Sequence, residues 1–379
     1  MAAGIYIHIP FCVQKCLYCD FVSGRGTDDE MKRYQNALLN EIESTAIEEN
    51  VDSVFFGGGT PSIYPVEFIR DILTLLRKKG VCSEGKTEIT IETNPGTVSL
   101  DKLRRYREMG INRLSIGLQS ADNEELKELG RIHDYEEFLK SYHYAREAGF
   151  SNINIDIMSA IPKQSISSYR NTLLKVLVLH PEHISAYSLI IEEDTPFYEK
   201  YREGGCNESD LPDEDTEREM YYLTKHELEK CGYNRYEISN YARDGYECIH
   251  NLKYWNRDNY YGFGAASSSL VNGTRYTNIR DRNRYMKEEG KIPNIREEIL
   301  KLSRQEQMEE FMFLGLRKTE GVLLSEFREL FKTDIENIYG DIIRKFKMKG
   351  LIIQQDGRLF LSCRGIDVSN VVMSEFLLD

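Results

Sequence analysis

Six short runs of β-branched and aromatic residues recur through the first half of the chain, with helix-like stretches between them. The runs are Ile5–Ile9, Ser53–Phe56, Glu88–Glu92, Arg113–Leu118, Asn152–Met158 and His183–Leu189, bounded by Gly, Pro, Asn or Asp. Phe68, Ile72, Leu75 and Leu76 fall on one helical face, as do Tyr135, Phe138, Tyr142 and Ala145. Strand–helix alternation predicts an α/β fold with a parallel sheet. Six units predict a partial (β/α)6 barrel of the TIM type rather than a closed eightfold one. Such a barrel has a lateral opening wide enough for a large flat substrate.

Beyond Leu189 the alternation stops. Residues 203–216, with Gly204-Gly205 and Asp213-Glu214-Asp215, read as a solvated loop, and residues 217–231 as a helix. Residues 233–285 are dense in Tyr and Asn and hold the single Trp, Trp255. From about Gln305 a separate pattern begins: a helix through Phe311 and Leu314, then Gly321-Val322, then helices around Phe327–Phe331 and Ile338–Lys349. Leu351–Ser362 reads as two strands around Asp356-Gly357, a hairpin signal. Helix, helix, hairpin outlines a winged helix. The expected organisation is a barrel over residues 1–200, an α+β extension over 201–300 and a winged-helix-like domain over 301–379, the last covering the barrel opening.

Composition narrows the function classes. The 379 residues are 41% apolar and 29% charged, ordinary for a globular chain. No run approaches the roughly 20 apolar residues of a membrane helix. The chain opens directly into a strand, so it is expected to lack a signal peptide and to be cytoplasmic. A net charge of -13 gives no general attraction for nucleic acid or anionic membrane. Three of the eight cysteines crowd into residues 12–19, a spacing that reads as metal-binding or catalytic. Cys82, Cys206, Cys231, Cys248 and Cys363 are scattered and are expected to be small hydrophobes.

Cys12, Cys16 and Cys19 follow the first strand, where βα barrels place their active sites. Three thiolates leave one iron of a [4Fe-4S] cluster open to another ligand. The alternative is a zinc site completed by His8. Gly57-Gly58-Gly59-Thr60-Pro61 follows the second strand, and consecutive glycines let backbone come close to a ligand; a tight turn is the alternative.

Tyr6-Ile7-His8-Ile9-Pro10-Phe11-Cys12, the cysteine triad, the glycine run and Glu92-Thr93-Asn94-Pro95 resemble the coproporphyrinogen dehydrogenase-like branch of the radical S-adenosylmethionine (radical SAM) superfamily. Gly117-Leu118-Gln119-Ser120 and Asp156 with Ile161-Pro162 extend the match over almost the whole chain. The resemblance implies that Cys12, Cys16 and Cys19 ligate the cluster. It implies that Tyr6 and Tyr18 line the S-adenosylmethionine beside it, and that Gly58, Gly59 and Thr60 hold its methionine part. Glu92, Gln119, Arg131 and Asp156 would contact its charged and ribose groups, and Ile190 its adenine. Each polar residue also has a structural alternative: a strand-end hydrogen bond for Glu92, Gln119 and Asp156, a surface charge for Arg131.

Two features separate subtypes within the branch. Coproporphyrinogen dehydrogenases are expected to carry a further cysteine two residues past the triad, where this chain has Phe21. His250-Asn251-Leu252-Lys253-Tyr254-Trp255 matches the HNxxYW motif of HemW-type haem chaperones. The resemblance thus implies a protein that binds haem as well as the cluster and S-adenosylmethionine. It would deliver haem to client proteins, with peripheral membrane contact through them, and draw electrons from a flavodoxin- or ferredoxin-like donor. His250 would be the axial ligand, Tyr254 and Trp255 the packing face, and Lys253, Arg243 or Arg257 the cation for the propionates; a hydrogen-bonded structural histidine is the alternative. The rival functions are oxygen-independent coproporphyrinogen III oxidation through a 5′-deoxyadenosyl radical, and DNA binding by the winged helix, which the acidic charge opposes. Two positions depart from the family: Ala160 stands where Gly is commoner, and Ser268 where a histidine is common.

Overall fold

All six runs form parallel strands that pair in chain order: β1 (Ala3–Ile9), β2 (Val51–Gly58), β3 (Glu88–Thr93), β4 (Arg113–Gln119), β5 (Ile153–Ser159) and β6 (His183–Ser188). The computed structural model describes residues 2–83 and 85–378. The intervening helices are α1 (Asp28–Ser44), α2 (Val66–Lys78), α3 (Leu100–Glu108), α4 (Asn123–Glu128), α5 (Tyr135–Glu147) and α6 (Ile166–Val178). Their starts are written in the sequence. Thr27, Ser99, Asp122, Asp134 and Ser165 each accept a backbone N–H of the first turn, which satisfies donors the helix cannot. α7 (Pro196–Tyr201) and α8 (Glu214–Lys230) follow.

Within each strand the residues alternate. Ile5, Ile7 and Ile9 join one apolar core with Leu38 of α1 and Ile72 of α2, as do Ile89, Ile91, Leu114, Ile116, Ile153 and Ile155. The other face holds Tyr6, His8, Ser53, Glu92, Ser115, Asn154, Asp156 and His183, which hydrogen-bond to polar side chains or line cavities, and the buried Arg113. A barrel centre is ordinarily filled by branched apolar side chains. Here it is polar, and the core lies between sheet and helices.

The extension predicted over 201–300 is divided between the two ends of this sheet. β7 (Asn234–Arg235) and β8 (Asn240–Ala242) continue it antiparallel beyond β6. β9 (Tyr260–Phe263) pairs parallel with β1, and β10 (Ser268–Val271), β11 (Thr274–Asn278) and β12 (Arg296–Lys301) follow outward. Among the described residues the sheet therefore has twelve strands. Glu41 of α1 fastens the second set: it accepts from Gly264 N, Asn278 Nδ2 and Tyr285 OH. Burial pushes its carboxyl up to about 7.

α9 (Ile249–Asn256) closes the N-terminal end of the strands. Its His250 reaches Ser53 near the start of β2, and Lys253 donates to Ala2 O just before β1. Glu88, first in β3, accepts the N–H groups of Ile249 and His250. After α10 (Arg282–Lys287) comes the last module: α11 (Arg304–Gly315), β13 (Val322–Leu323), α12 (Leu324–Phe331), α13 (Ile335–Met348), β14 (Ile352–Gln355), β15 (Arg358–Leu361), α14 (Cys363–Asp367) and α15 (Ser369–Ser374). It has its own apolar core and a three-stranded sheet whose hairpin turns at Asp356-Gly357, both at positive φ as such a turn requires. It docks at the α9 end of the barrel. Glu310 pairs with Arg257 and with Arg275 of β11, and Thr319 donates to Tyr236 O beside β7. Cys206, Cys231 and Cys363 are exposed, unlike the small buried hydrophobes the sequence suggests, whereas Cys82 and Cys248 are buried.

Candidate cofactor site

The loop after β1 is held from several sides. Cys12 N donates to Gly24 O, Gly24 N to Pro10 O, and Leu17 N to Leu129 O. The Arg282 guanidinium lies 4.9 Å from the Phe11 ring centroid and donates to Pro10 O and Arg25 O. These ties bring Cys12, Cys16 and Cys19 to the wall of one cavity of 460 Å³. All three are free thiols. Thr60 Oγ1 donates to Cys12 Sγ at 3.5 Å and Arg131 Nη1 to Cys16 Sγ at 3.4 Å.

The glycine run packs directly on this loop. Gly59 N donates to Ile9 O, and Thr60 N to Phe11 O. A Cβ on Gly59 would stand 2.7 Å from Phe11 O and 2.9 Å from Cys12 Sγ, and one on Gly58, whose φ is +111°, 2.6 Å from the His8 ring. A side chain at Gly59 would displace the cysteine loop and one at Gly58 the His8 ring, so the run is more than a turn.

Opposite lie the charged groups. Glu92 accepts from Gly58 N at 3.2 Å. Burial, reinforced by the nearby Asp156, pushes its carboxyl up to about 8. Asp156 is also raised by burial, although Ser115 Oγ and Asn154 Nδ2 donate to it at 2.9 and 2.7 Å. Two buried carboxyls at one wall are an incomplete arrangement that a cation completes. Arg131 Nη2 donates to Asn94 Oδ1 and Gly117 O at 2.9 and 2.7 Å. Gln119 sits at φ +71° beside a bulge between β4 and β5, and its Oε1 accepts from Tyr187 OH. Non-glycine residues held there mark constrained sites.

Tyr18, Gly58, Gly59, Thr60, Glu92, Gln119, Arg131, Asp156 and Ile190 thus share one cavity with the three cysteines. Tyr6 does not line it; it faces a neighbouring cavity and hydrogen-bonds His8 Nδ1. Asn94, Ser115 and Tyr187 line the site without having been assigned a role from sequence. The alternation along β6 was the available signal for Tyr187. The donor set fits a cubane cluster: three thiols without disulfides, donors to two sulfurs, and an adjoining space whose wall offers both acids and a guanidinium, as an amino-acid ligand requires.

His250 lies in the core toward the other end of the barrel, and Tyr254 lines the neighbouring cavity. The His250 ring is 1% exposed and stacks on Phe55, with centroids 5.2 Å apart. Nδ1 is hydrogen-bonded to Ser53 Oγ at 3.0 Å and Nε2 to Tyr254 OH at 2.8 Å. Both nitrogens are therefore committed, and iron ligation would require the ring to leave the core. The expected propionate cations are engaged too. Lys253 pairs with Asp52 and Asp258, Arg257 pairs with Glu310, and Arg243 stacks on Tyr233. Trp255 points away from His250, beneath the Arg317 guanidinium.

Comparisons with known proteins identify the family. The family model of the Radical SAM superfamily matches residues 6–176, and that of the HemN C-terminal domain residues 302–368. The chain is 36% identical to "Heme chaperone HemW" of Lactococcus lactis over 99% of this chain and 97% of the relative, and 34% identical to that of Bacillus subtilis over 98% of each. The solved structure of coproporphyrinogen III oxidase (HemN) from Escherichia coli superposes with a TM-score of 0.84 over 99% of this chain and 90% of that one, at 21% identity, and so shares the fold. On the strength of its likeness to the two relatives along nearly their whole length, the chain belongs to the HemW family of the radical SAM superfamily.

Proposed function

We propose that this protein is a haem chaperone: it binds haem, a [4Fe-4S] cluster and S-adenosylmethionine, and passes haem to haem-requiring clients. The observation that carries the reading is the convergence of three free cysteines and the Gly58, Glu92, Arg131 and Asp156 wall on one cavity, in a chain 36% identical to a heme chaperone. Cys12, Cys16 and Cys19 would hold three irons of the cluster, leaving the fourth for the cofactor. A cluster so ligated supplies an electron to the bound sulfonium.

The chain's own groups do the rest. The Glu92 carboxyl gives up its proton when an ammonium enters, because the incoming positive charge lowers a pKa that burial has raised, and Asp156, also raised by burial, accepts from the ribose hydroxyls. Arg131 faces a carboxylate while fixing Asn94 and Cys16. The Gly58–Thr60 backbone sets how close the ligand comes to Cys12. Electrons would come from a flavodoxin- or ferredoxin-like donor, and clients at a membrane would give the protein peripheral contact with it.

The test is anaerobic reconstitution followed by three assays on one preparation. About four irons per chain, haemin binding and haem transfer to an apo-acceptor are expected, with no coproporphyrinogen III turnover. Formation of protoporphyrinogen above a no-enzyme control, with reductant and S-adenosylmethionine present, would replace the chaperone reading with the oxidase.

A further inference from the structure

With His250 sealed in the core, the haem reading needs another surface, and a second cavity answers to it. A space of 380 Å³, within the range of about 300–1,000 Å³ typical of ligand pockets, lies beside the cofactor cavity and shares Asp20 and Phe21 with it. Its wall carries Tyr6, His8, Phe21, Tyr254, Tyr260 and Arg280. We propose that this cavity, on the β9–β10 side of the cysteine loop, is where the haem macrocycle docks, held by its aromatic face and its carboxylates rather than by an imidazole on the iron. The proposal rests on the haem-chaperone reading and gives that reading its site.

Three observations carry it. Phe21 is 60% exposed directly after the cysteine triad, a large aromatic surface left in water at the mouth of both cavities. Such a ring gains by stacking on a flat partner. Across from it Tyr254 and Tyr260 form an edge-to-face pair with centroids 4.7 Å apart. Tyr254 is fixed in that pair by its hydroxyl's bond to His250 Nε2, so His250 acts as a positioning residue. This gives the His250–Trp255 motif a part in haem binding without any ligand bond. Finally, Arg280 is exposed and has no ion-pair or hydrogen-bond partner among the described residues, so its guanidinium is free for a propionate.

The same wall shows why the iron is not gripped. His8 Nε2 is bonded to Val22 O at 2.8 Å and Nδ1 to Tyr6 OH at 3.2 Å, which uses both nitrogens. Burial holds the phenols of Tyr6, Tyr254 and Tyr260 protonated, which disfavours tyrosinate ligation. A carrier that recognises the ring but does not bond the metal strongly can release its cargo to a client with a better ligand.

Absorbance and tryptophan-quenching titrations of the cluster-loaded full chain test this with haemin and with metal-free protoporphyrin IX. Phe21→Ala and Arg280→Glu, both at exposed positions, are each expected to weaken both ligands by about tenfold, the loss of one stacked ring or one charge-assisted bond. Metal-free protoporphyrin should bind the wild type within about threefold of haemin, since equal affinity means no free energy from the iron. Iron content and melting temperature report the fold of each variant. Wild-type affinity in both variants with loss in Trp255→Ala would overturn the site while leaving the chaperone reading standing. A metal-free affinity hundreds of times weaker would overturn the absence of iron ligation. No haemin binding by the wild type would instead sink the chaperone reading itself.

Discussion

His250→Ala should act on stability before it acts on haem. The substitution empties a site that is 1% exposed and stacked on Phe55, and it leaves the Ser53 and Tyr254 hydroxyls without their partner. Cavity formation at a ring of this size costs about 2–3 kcal/mol and the orphaned hydroxyls about 1–2 more, roughly 4 kcal/mol in all. For a chain this long that is a fall in melting temperature of about 5 °C. A pH dependence identifies the imidazole as the cause. Burial, aided by Arg113 and then Lys253, lowers its pKa to about 3, below the unfolded value of 6.5. The native ring therefore stays neutral while the unfolded one takes up a proton. Its contribution to stability is complete above pH 6.5 and declines by about 1.4 kcal/mol per pH unit as pH falls toward 3. The gap between wild type and variant should shrink from about 4 kcal/mol at pH 7.5 to below about 3 kcal/mol at pH 5.5, read by urea titration. Differencing removes the other titrating groups, which both proteins share. An unchanged midpoint, or a gap independent of pH, would refute the buried neutral role.

Glu92→Gln should stabilise the apo-protein and weaken the cofactor. Because the Glu92 carboxyl is raised to about 8, the wild type loses about 1.4 kcal/mol per pH unit between 4.5 and 8, a loss that neutral Gln escapes; melts at pH 8.5 and a titration with S-adenosylmethionine check both halves. Equal affinity in the variant would remove Glu92 from the site. Ala160 is held at φ +57°, so Ala160→Gly should raise stability by about 1 kcal/mol, measured by denaturant titration, and a loss would contradict the strain. Replacing Cys12, Cys16 and Cys19 together by Ala should leave reconstituted protein without the cluster's charge-transfer absorbance; a full iron complement in that variant would break the central assignment.

The six barrel strands are legible because each alternates over six to eight residues, and the cofactor cavity because its motifs sit at strand ends. What was not legible depends on distant contacts. β7 has two residues and β8 three, too few for a pattern, and both are recognised only once β6 lies beside them. β12 reads Arg-Glu-Glu-Ile-Leu-Lys and is mostly exposed. His250 resembles a ligand in isolation, yet Ser53, 197 positions earlier, takes one of its nitrogens. The C-terminal module, expected over the barrel opening, docks at the α9 end, where Glu310 and Thr319 find partners far away in sequence.

The alternation also explains why a histidine-bearing helix belongs at the closed end. A parallel sheet with polar inner faces leaves buried groups that each cost a few kcal/mol unless bonded. Asp156 accepts from Asn154, whose Oδ1 is bonded to His183; His183 is bonded to Tyr236, and Tyr236 OH accepts from Cys248 N at the start of α9. Cys248 then donates to Glu88, which also receives His250 N. The chain of bonds runs from the cofactor wall to the helix that closes the barrel. Each link in this chain of bonds has a partner, which offsets the cost of burying it. Displacing α9 would strip Glu88 and Tyr236 of their donors and leave the Arg113 guanidinium, 2% exposed, beside fewer compensating groups. The acids at the cofactor wall are thus supported from below, and α9 is the support that the sequence motif encodes.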